Sequence, residues 1–61
     1  MSNLTTKELS ALEDQLGYEQ VAVKKFKTLA GQCSDAAIQS RLETIAGQHQ
    51  QHFNTLVNYL K

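Results

Sequence analysis

Three residues of this 61-residue chain combine the side-chain types that bind transition metals: Glu19, His49 and His52. The two histidines are three residues apart in a His-Gln-Gln-His stretch, a spacing that places both on one face of a helix. Two imidazoles and a carboxylate from a facing helix form a donor set that suits Zn, Fe(II) or Mn. The pattern predicts a transition-metal site if the fold brings Glu19 to the histidines.

An apolar seam predicts the first helix, and Glu19 belongs to that seam. Thr5 and Glu8 have the spacing of a capping box, which predicts a helix start. Gly31 follows the last apolar position and predicts the helix C-terminus. The apolar positions alternate in steps of three and four, as in a heptad seam; they are Leu9, Leu12, Leu16, Val23, Phe26 and Ala30. The same stepping places Glu19 between Leu16 and Val23.

A second seam predicts the second helix. Ser34 or Asp35 can cap its N-terminus. Its apolar positions are Ile38, Leu42, Ile45, Leu56 and Tyr59, and the same stepping requires positions 49 and 52, which both hold histidine. The chain has no proline and no alternating β-branched pattern, so strands are not expected. We therefore expect one all-α domain over residues 1–61, with helices at about 6–30 and 35–60 and a loop at about 31–34.

Antiparallel pairing of the two seams predicts which residues meet. If the numbers of facing residues add up to 68, every seam position finds a partner, including Ala30 with Ile38. In this register Glu19 faces His49, and Leu16 faces His52 in the adjacent layer. Glu19 also lies near the middle of its seam, so a two-fold axis there would bring the Glu/His layers of two copies together.

Size and charge limit the partners of such a hairpin. A chain of 61 residues with one cysteine has no intrachain disulfide, and a lone hairpin has nothing to cover its apolar stripe. We expect two copies to form a homodimeric four-helix bundle. Six basic and six acidic residues give no net charge, which argues against a nucleic-acid partner. No apolar run approaches the roughly 20 residues of a membrane span, and no signal peptide is evident, so we expect a cytoplasmic protein without a membrane partner.

The same residues resemble the ferritin-like bundles, which carry a Glu on one helix and Glu-x-x-His on the next. Tyr18-Glu19 is similar to the first element, and the stretch 45–52 is similar to the second, with His52 at the histidine position. Over residues 4–60 the chain also resembles small spore-coat-type proteins of the ferritin-like group. The residues that carry this likeness are Leu12-Glu13-Asp14, Glu19, Ala22, Lys24-Lys25, Gln32-Cys33, Asp35, Ile38, Leu42-Glu43, His49 and His52.

The resemblance implies a metal-binding homodimer or higher homo-oligomer associated with spores, with Glu19, His49 and His52 as the ligands. One departure matters, because His49 stands where the family has glutamate. A dimer would then supply two carboxylates instead of four, and two divalent ions would leave an excess of about two positive charges in the core. We therefore expect no catalytic residues; an enzyme on this scaffold would be a metal-dependent oxidoreductase.

An alternative reading needs no metal. Glu19 can accept a hydrogen bond from a histidine, and such a buried polar layer can fix the register of a bundle. The chain would then be a structural or interaction protein. Gly17 and Gly47 fall on the outer faces of the helices, where close approach of another dimer is one explanation. Cys33 lies in the predicted loop, where its thiol could link two hairpins under oxidation.

Overall fold

A computed structural model describes residues 4–61 as two antiparallel helices. Helix α1 spans Thr6–Gln32 and helix α2 spans Ala36–Val57, followed by a short 3₁₀ segment at Asn58–Leu60. No strand occurs in this part of the chain. The prediction of an all-α helical hairpin is confirmed.

Each helix starts at a side chain that accepts a hydrogen bond from the first turn. The Thr5 hydroxyl accepts from the Glu8 N–H at 3.1 Å, and Glu8 Oε1 accepts from the Thr5 N–H at 3.0 Å. This is the capping box that the sequence predicts. For α2 the cap is Asp35, whose Oδ1 accepts from the Ile38 N–H at 3.0 Å. Asp35 rather than Ser34 therefore begins the second helix.

The prediction that Gly31 ends the first helix is wrong. Helix α1 continues through Gln32, and its C-cap is Cys33, whose N–H donates to the Ala30 carbonyl at 3.2 Å. None of the glycines has a positive φ, so Gly31 keeps ordinary helical geometry. The connection is therefore residues 33–35, three residues long, and starts later than the predicted loop. A turn this short holds the two helices side by side.

The face of α2 that packs on α1 is rotated from the predicted seam. Ala46, which the predicted seam omits, is 2% exposed, whereas Ile38 is 54% exposed. The predicted layer of Ala30 with Ile38 is therefore wrong. Gln39 takes that place, because its Nε2 donates to the Ala30 carbonyl at 3.0 Å. The Ala30 carbonyl, in the last turn of α1, therefore accepts two hydrogen bonds, one from the Cys33 N–H and one from Gln39 on α2.

The hairpin leaves much of its apolar surface open. Its accessible surface is 4746 Å², against about 3,950 Å² for a compact chain of this mass. Its radius of gyration is 14.3 Å, against about 10.5 Å for a globular chain of this length. The exposed large apolar residues are Leu9, Tyr18, Val21, Leu29, Ile38, Tyr59 and Leu60. No helix within residues 4–61 is long and apolar enough to cross a membrane.

The helical geometry of Gly31 leads to a test of the correction at this position. A Cβ added to Gly31 would meet no other atom within 4 Å. We expect Gly31→Ala to raise the free energy of unfolding by about 0.5–1 kcal/mol, because alanine loses less backbone entropy in a helix. Chemical denaturation followed by circular dichroism measures this change. A loss of stability would mean that Gly31 adopts the left-handed conformation of a helix cap.

Candidate metal centre

The hairpin brings the three predicted ligands together across the seam. Glu19 Oε1 lies 2.6 Å from His49 Nδ1, and Glu19 Oε2 lies 3.6 Å from His52 Nδ1. Glu19 projects from the middle of α1, and the two histidines project from neighbouring turns of α2 because they are three residues apart. The predicted facing of Glu19 and His49 is therefore observed. His52 also lies next to Glu19, as the predicted three-ligand cluster requires, although the predicted register pairs it with Leu16.

Glu19 is the one buried charged residue in the described part of the chain. It is 7% exposed, and its carboxylate also accepts a hydrogen bond from Gln15 Nε2 at 3.2 Å. A buried carboxylate is costly unless it is hydrogen-bonded or paired. Within residues 4–61 no buried side-chain nitrogen or oxygen lacks a hydrogen-bond partner. The carboxylate is thus held in place by groups from both helices.

The two histidines differ in how firmly the fold holds them. The His49 side chain is 30% exposed, and its ring stacks on Phe26 with centroids 5.7 Å apart and planes 5° apart. The His52 side chain is 60% exposed and meets His49 edge to face. Phe26 therefore orients His49 toward Glu19, while His52 stands at the open margin of the site and is free to adjust.

The hydrogen bond from His49 governs the protonation of Glu19. This bond, together with the bond from Gln15 and the nearby histidine charges, lowers the pKa of Glu19 below its usual range, although burial acts in the opposite direction. With Glu19 ionised, its carboxylate oxygen can only accept a hydrogen bond, so His49 donates from Nδ1. The site thus pairs an ionised buried carboxylate with an oriented imidazole.

The donor set suits a transition-metal ion, with one adjustment. One ligand atom from each residue lies within 4.8 Å of the others. Ligands on a tetrahedral ion with bonds of about 2.0–2.1 Å are about 3.3 Å apart. The Glu19–His52 separation of 3.6 Å is close to this value, whereas the Glu19–His49 separation of 2.6 Å is a hydrogen-bond length. An ion that binds all three atoms would therefore displace the proton between Glu19 and His49 and move the two groups apart.

Sequence reasoning missed two residues that complete this layer. Gln15 was not assigned a role, although it lies one helical turn before Glu19, a spacing that favours side-chain hydrogen bonds. Phe26 was placed in the seam, but its stacking on His49 follows only from the rotation of α2. Spacing within one helix could have identified Gln15; the Phe26 contact depends on how the two helices meet.

Comparisons with known proteins identify one similar chain. The sequence is 28% identical over 60 residues to the uncharacterized protein YuzM of Bacillus subtilis (strain 168), a match that covers 98% of this chain and 74% of that protein. No protein family matches the sequence, and no solved structure matches it.

The lowered pKa of Glu19 predicts how stability depends on pH. Folding favours its ionised form, so this stabilisation is present above about pH 4.5, the ordinary pKa of glutamate, and is lost as pH falls through the folded-state pKa. We expect wild type to be more stable than Glu19→Gln near neutral pH, with the difference shrinking in acid. Thermal melts of both proteins between about pH 3 and pH 7 measure it.

The pKa of Glu8 is also lowered, by its bonds to Thr5, but this effect is common to both proteins and cancels in the comparison. Glu43→Gln is the matched control, because it removes an exposed carboxylate from α2. A difference in Tm between wild type and Glu19→Gln that stays constant down to pH 3 would contradict the assigned stabilisation of ionised Glu19 by His49.

Proposed function

We propose that this chain binds a divalent transition metal, Fe, Zn or Mn, through Glu19, His49 and His52 in a homodimeric four-helix bundle. The observation that carries the proposal is the convergence of the three ligand atoms, within 4.8 Å of one another, from two different helices. Carboxylate and imidazole together suit these ions. The only buried charge within residues 4–61 belongs to this cluster, so the fold commits its most costly side chain to it.

The open side of the hairpin supports a second copy as the partner. Ile38, Ile45 and His52 are spaced seven residues apart and therefore share one face of α2. Ile38 and His52 on this face are exposed, and Ile45 is half-buried. A second hairpin placed there would cover the isoleucines and bring its own Glu/His layer close to the first. Three donors from each chain leave further coordination positions for water or for the second copy.

The dimer proposed here would have the four-helix architecture of the ferritin-like group, which is the family that the sequence resembles. That relationship, and a cytoplasmic or spore-associated location, stay predictions. Metal binding without oxygen chemistry is the form of the proposal that the residues support best. A dimer would hold two buried carboxylates, too few to balance two divalent ions.

Metal titration of the purified protein tests the proposal. We expect Zn, Mn or Fe(II) to bind in a fixed ratio to the chain and to raise Tm. The expected stabilisation is about 2.7 kcal/mol when the free metal is 100 times its Kd. Glu19→Ala, His49→Ala and His52→Ala should each lower the affinity, and so should a fall in pH, because protons compete for imidazole. Metal content and molecular mass are measured on the same sample.

Glu43→Gln is the control for this titration, because Glu43 is an exposed carboxylate on α2. It should bind metal as the wild type does. The proposal would be contradicted if none of the three ions bound stoichiometrically, or if the three alanine variants bound metal as tightly as the wild type. Oxygen consumption on addition of Fe(II), lost in Glu19→Ala, would instead identify a metal-dependent oxidoreductase.

A second candidate function is structural, with the Glu/His layer fixing the register of the assembly. The hydrogen bond of 2.6 Å between His49 and Glu19 favours it, because this bond satisfies the carboxylate without an ion. A buried polar layer of this kind can select one register at a cost in stability. The chain would then serve as an interaction module.

Replacing Glu19, His49 and His52 together by leucine separates the two functions. If the layer is only structural, His49→Leu/His52→Leu combined with Glu19→Leu should retain the dimer and keep or raise its stability, since apolar residues often replace buried ion pairs without loss. Thermal melts and light scattering with and without metal report this. Loss of the dimer in the triple variant would count against a purely structural layer. His49→Leu/His52→Leu without the change at Glu19 is the matched comparison, because it leaves the buried carboxylate with only the hydrogen bond from Gln15 and should destabilise the protein.

A further inference from the structure

The outer face of α1, turned away from α2, has features that the metal site does not explain. Val21 is 65% exposed although it is apolar. It lies two residues from both Glu19 and Val23, which are buried, so its side chain points nearly opposite to theirs at about 100° per residue. One turn before it is Gly17, where an added Cβ would have no other atom within 4 Å. An apolar knob and an open gap therefore lie next to each other on this face.

Charge is divided between the two halves of α1. Residues 6–19 contain four acidic residues and one basic residue, Lys7, whereas residues 20–32 contain three lysines and no acidic residue. Glu13, Asp14, Lys24 and Lys25 are exposed, and none of them forms an ion pair within residues 4–61. Lys24 and Lys25 also line a shallow depression next to Val21. The outer face is thus acidic at one end, apolar at its centre and basic at the other end.

We propose that this outer face, defined by Glu13, Asp14, Gly17, Val21 and Lys24-Lys25, is an interface with the same face of a second copy. An antiparallel copy of α1, related by a two-fold axis at the height of residue 19, places Glu13 and Asp14 against the lysines of the other chain. The same axis places Val21 over the gap at Gly17. A parallel copy would set like charges against each other, so charge complementarity selects the antiparallel arrangement.

The flanking residues agree with this axis. Positions 10, 14, 17, 21, 24 and 28 follow one another in steps of four and three and therefore share one stripe of the helix. The axis pairs Ser10 with Thr28 of the other copy, which are small side chains that allow the helices to approach. The contact is isologous, because each chain presents the same surface. It lies opposite the seam and therefore does not depend on the metal site or on the bundle interface.

Charge reversal tests the interface in the full chain. We expect Glu13→Lys/Asp14→Lys and Lys24→Glu/Lys25→Glu each to weaken self-association at least tenfold, because each sets like charges against each other at positions 13–14 and 24–25. A mixture of the two variants at equal concentration should associate again, since the faces are then complementary. Sedimentation velocity measures the mass and its dependence on concentration. Variants that keep the wild-type mass, or a mixture that does not associate, would overturn the proposal.

Filling the gap at Gly17 is an independent test. Gly17→Leu should raise Tm, since leucine favours helix and a Cβ at this position meets no other atom within 4 Å, yet it should halve the mass in solution. Gly47→Leu is the matched control: it should also raise Tm but keep the mass, because its open position lies on α2. Equal masses for the two variants would overturn the proposal. Binding of the lysine end to phosphatidylserine vesicles, without self-association, would also overturn it and would assign this face to a membrane.

The two proposals fail separately. Gly17→Leu and the charge variants leave Glu19, His49 and His52 unchanged, so they should bind as much metal per chain as the wild type. If the wild type binds no metal but the outer-face variants still lower the mass, only the metal site is refuted. An unchanged mass with intact metal binding would refute only the outer-face interface.

Discussion

The pairing of Glu19 with His49 is the interaction on which the hairpin depends. Only three other residues in the described chain are buried, Val23, Ala30 and Ala46, and all three are small or medium-sized apolar residues. Such a small core specifies the register of two helices weakly, because similar apolar contacts form after a shift of one turn. A buried carboxylate has no such freedom, since a shift would remove its hydrogen bond at 2.6 Å. The polar layer therefore defines the register, and the apolar residues fill in around it.

The same small core is the reason that we propose partners for the hairpin. Two helices provide one shared seam, and all remaining apolar side chains lie on surfaces open to solvent. On α2 these form a face that continues from the seam through Ile38 and Ile45. On α1 a separate face, centred on Val21, points the opposite way. Each face has its own chemistry, because the first adjoins the Glu/His layer and the second is bounded by opposite charges at its two ends.

Much of this arrangement could be predicted from spacing alone, and the errors have physical causes. Heptad stepping and the capping box predict the two helices, because they depend on the periodicity of a single helix. The facing of Glu19 and His49 follows once the two seams are paired antiparallel. The assignments of Gly31 and Ile38 failed for different reasons. Glycine is compatible with an ordinary helical turn when no left-handed residue is needed, and the rotation of α2 depends on the three-residue connection and on the bond from Gln39 to Ala30. Such contacts between helices leave no periodic signal.

The position of Glu19 on α1 relates the proposed metal site to the proposed outer-face interface. Glu19 lies in the middle of the helix on its buried side, and the acidic and basic halves of the outer face meet at the same height. A two-fold axis of the bundle and a two-fold axis of the outer face would therefore both cross α1 near residue 19. Because both axes cross α1 at the same position along its length, one chain can make the bundle contact and the outer-face contact at the same time without a shift along the helix. If the two axes are perpendicular, the result is a closed assembly of four chains, the symmetry that two isologous interfaces generate.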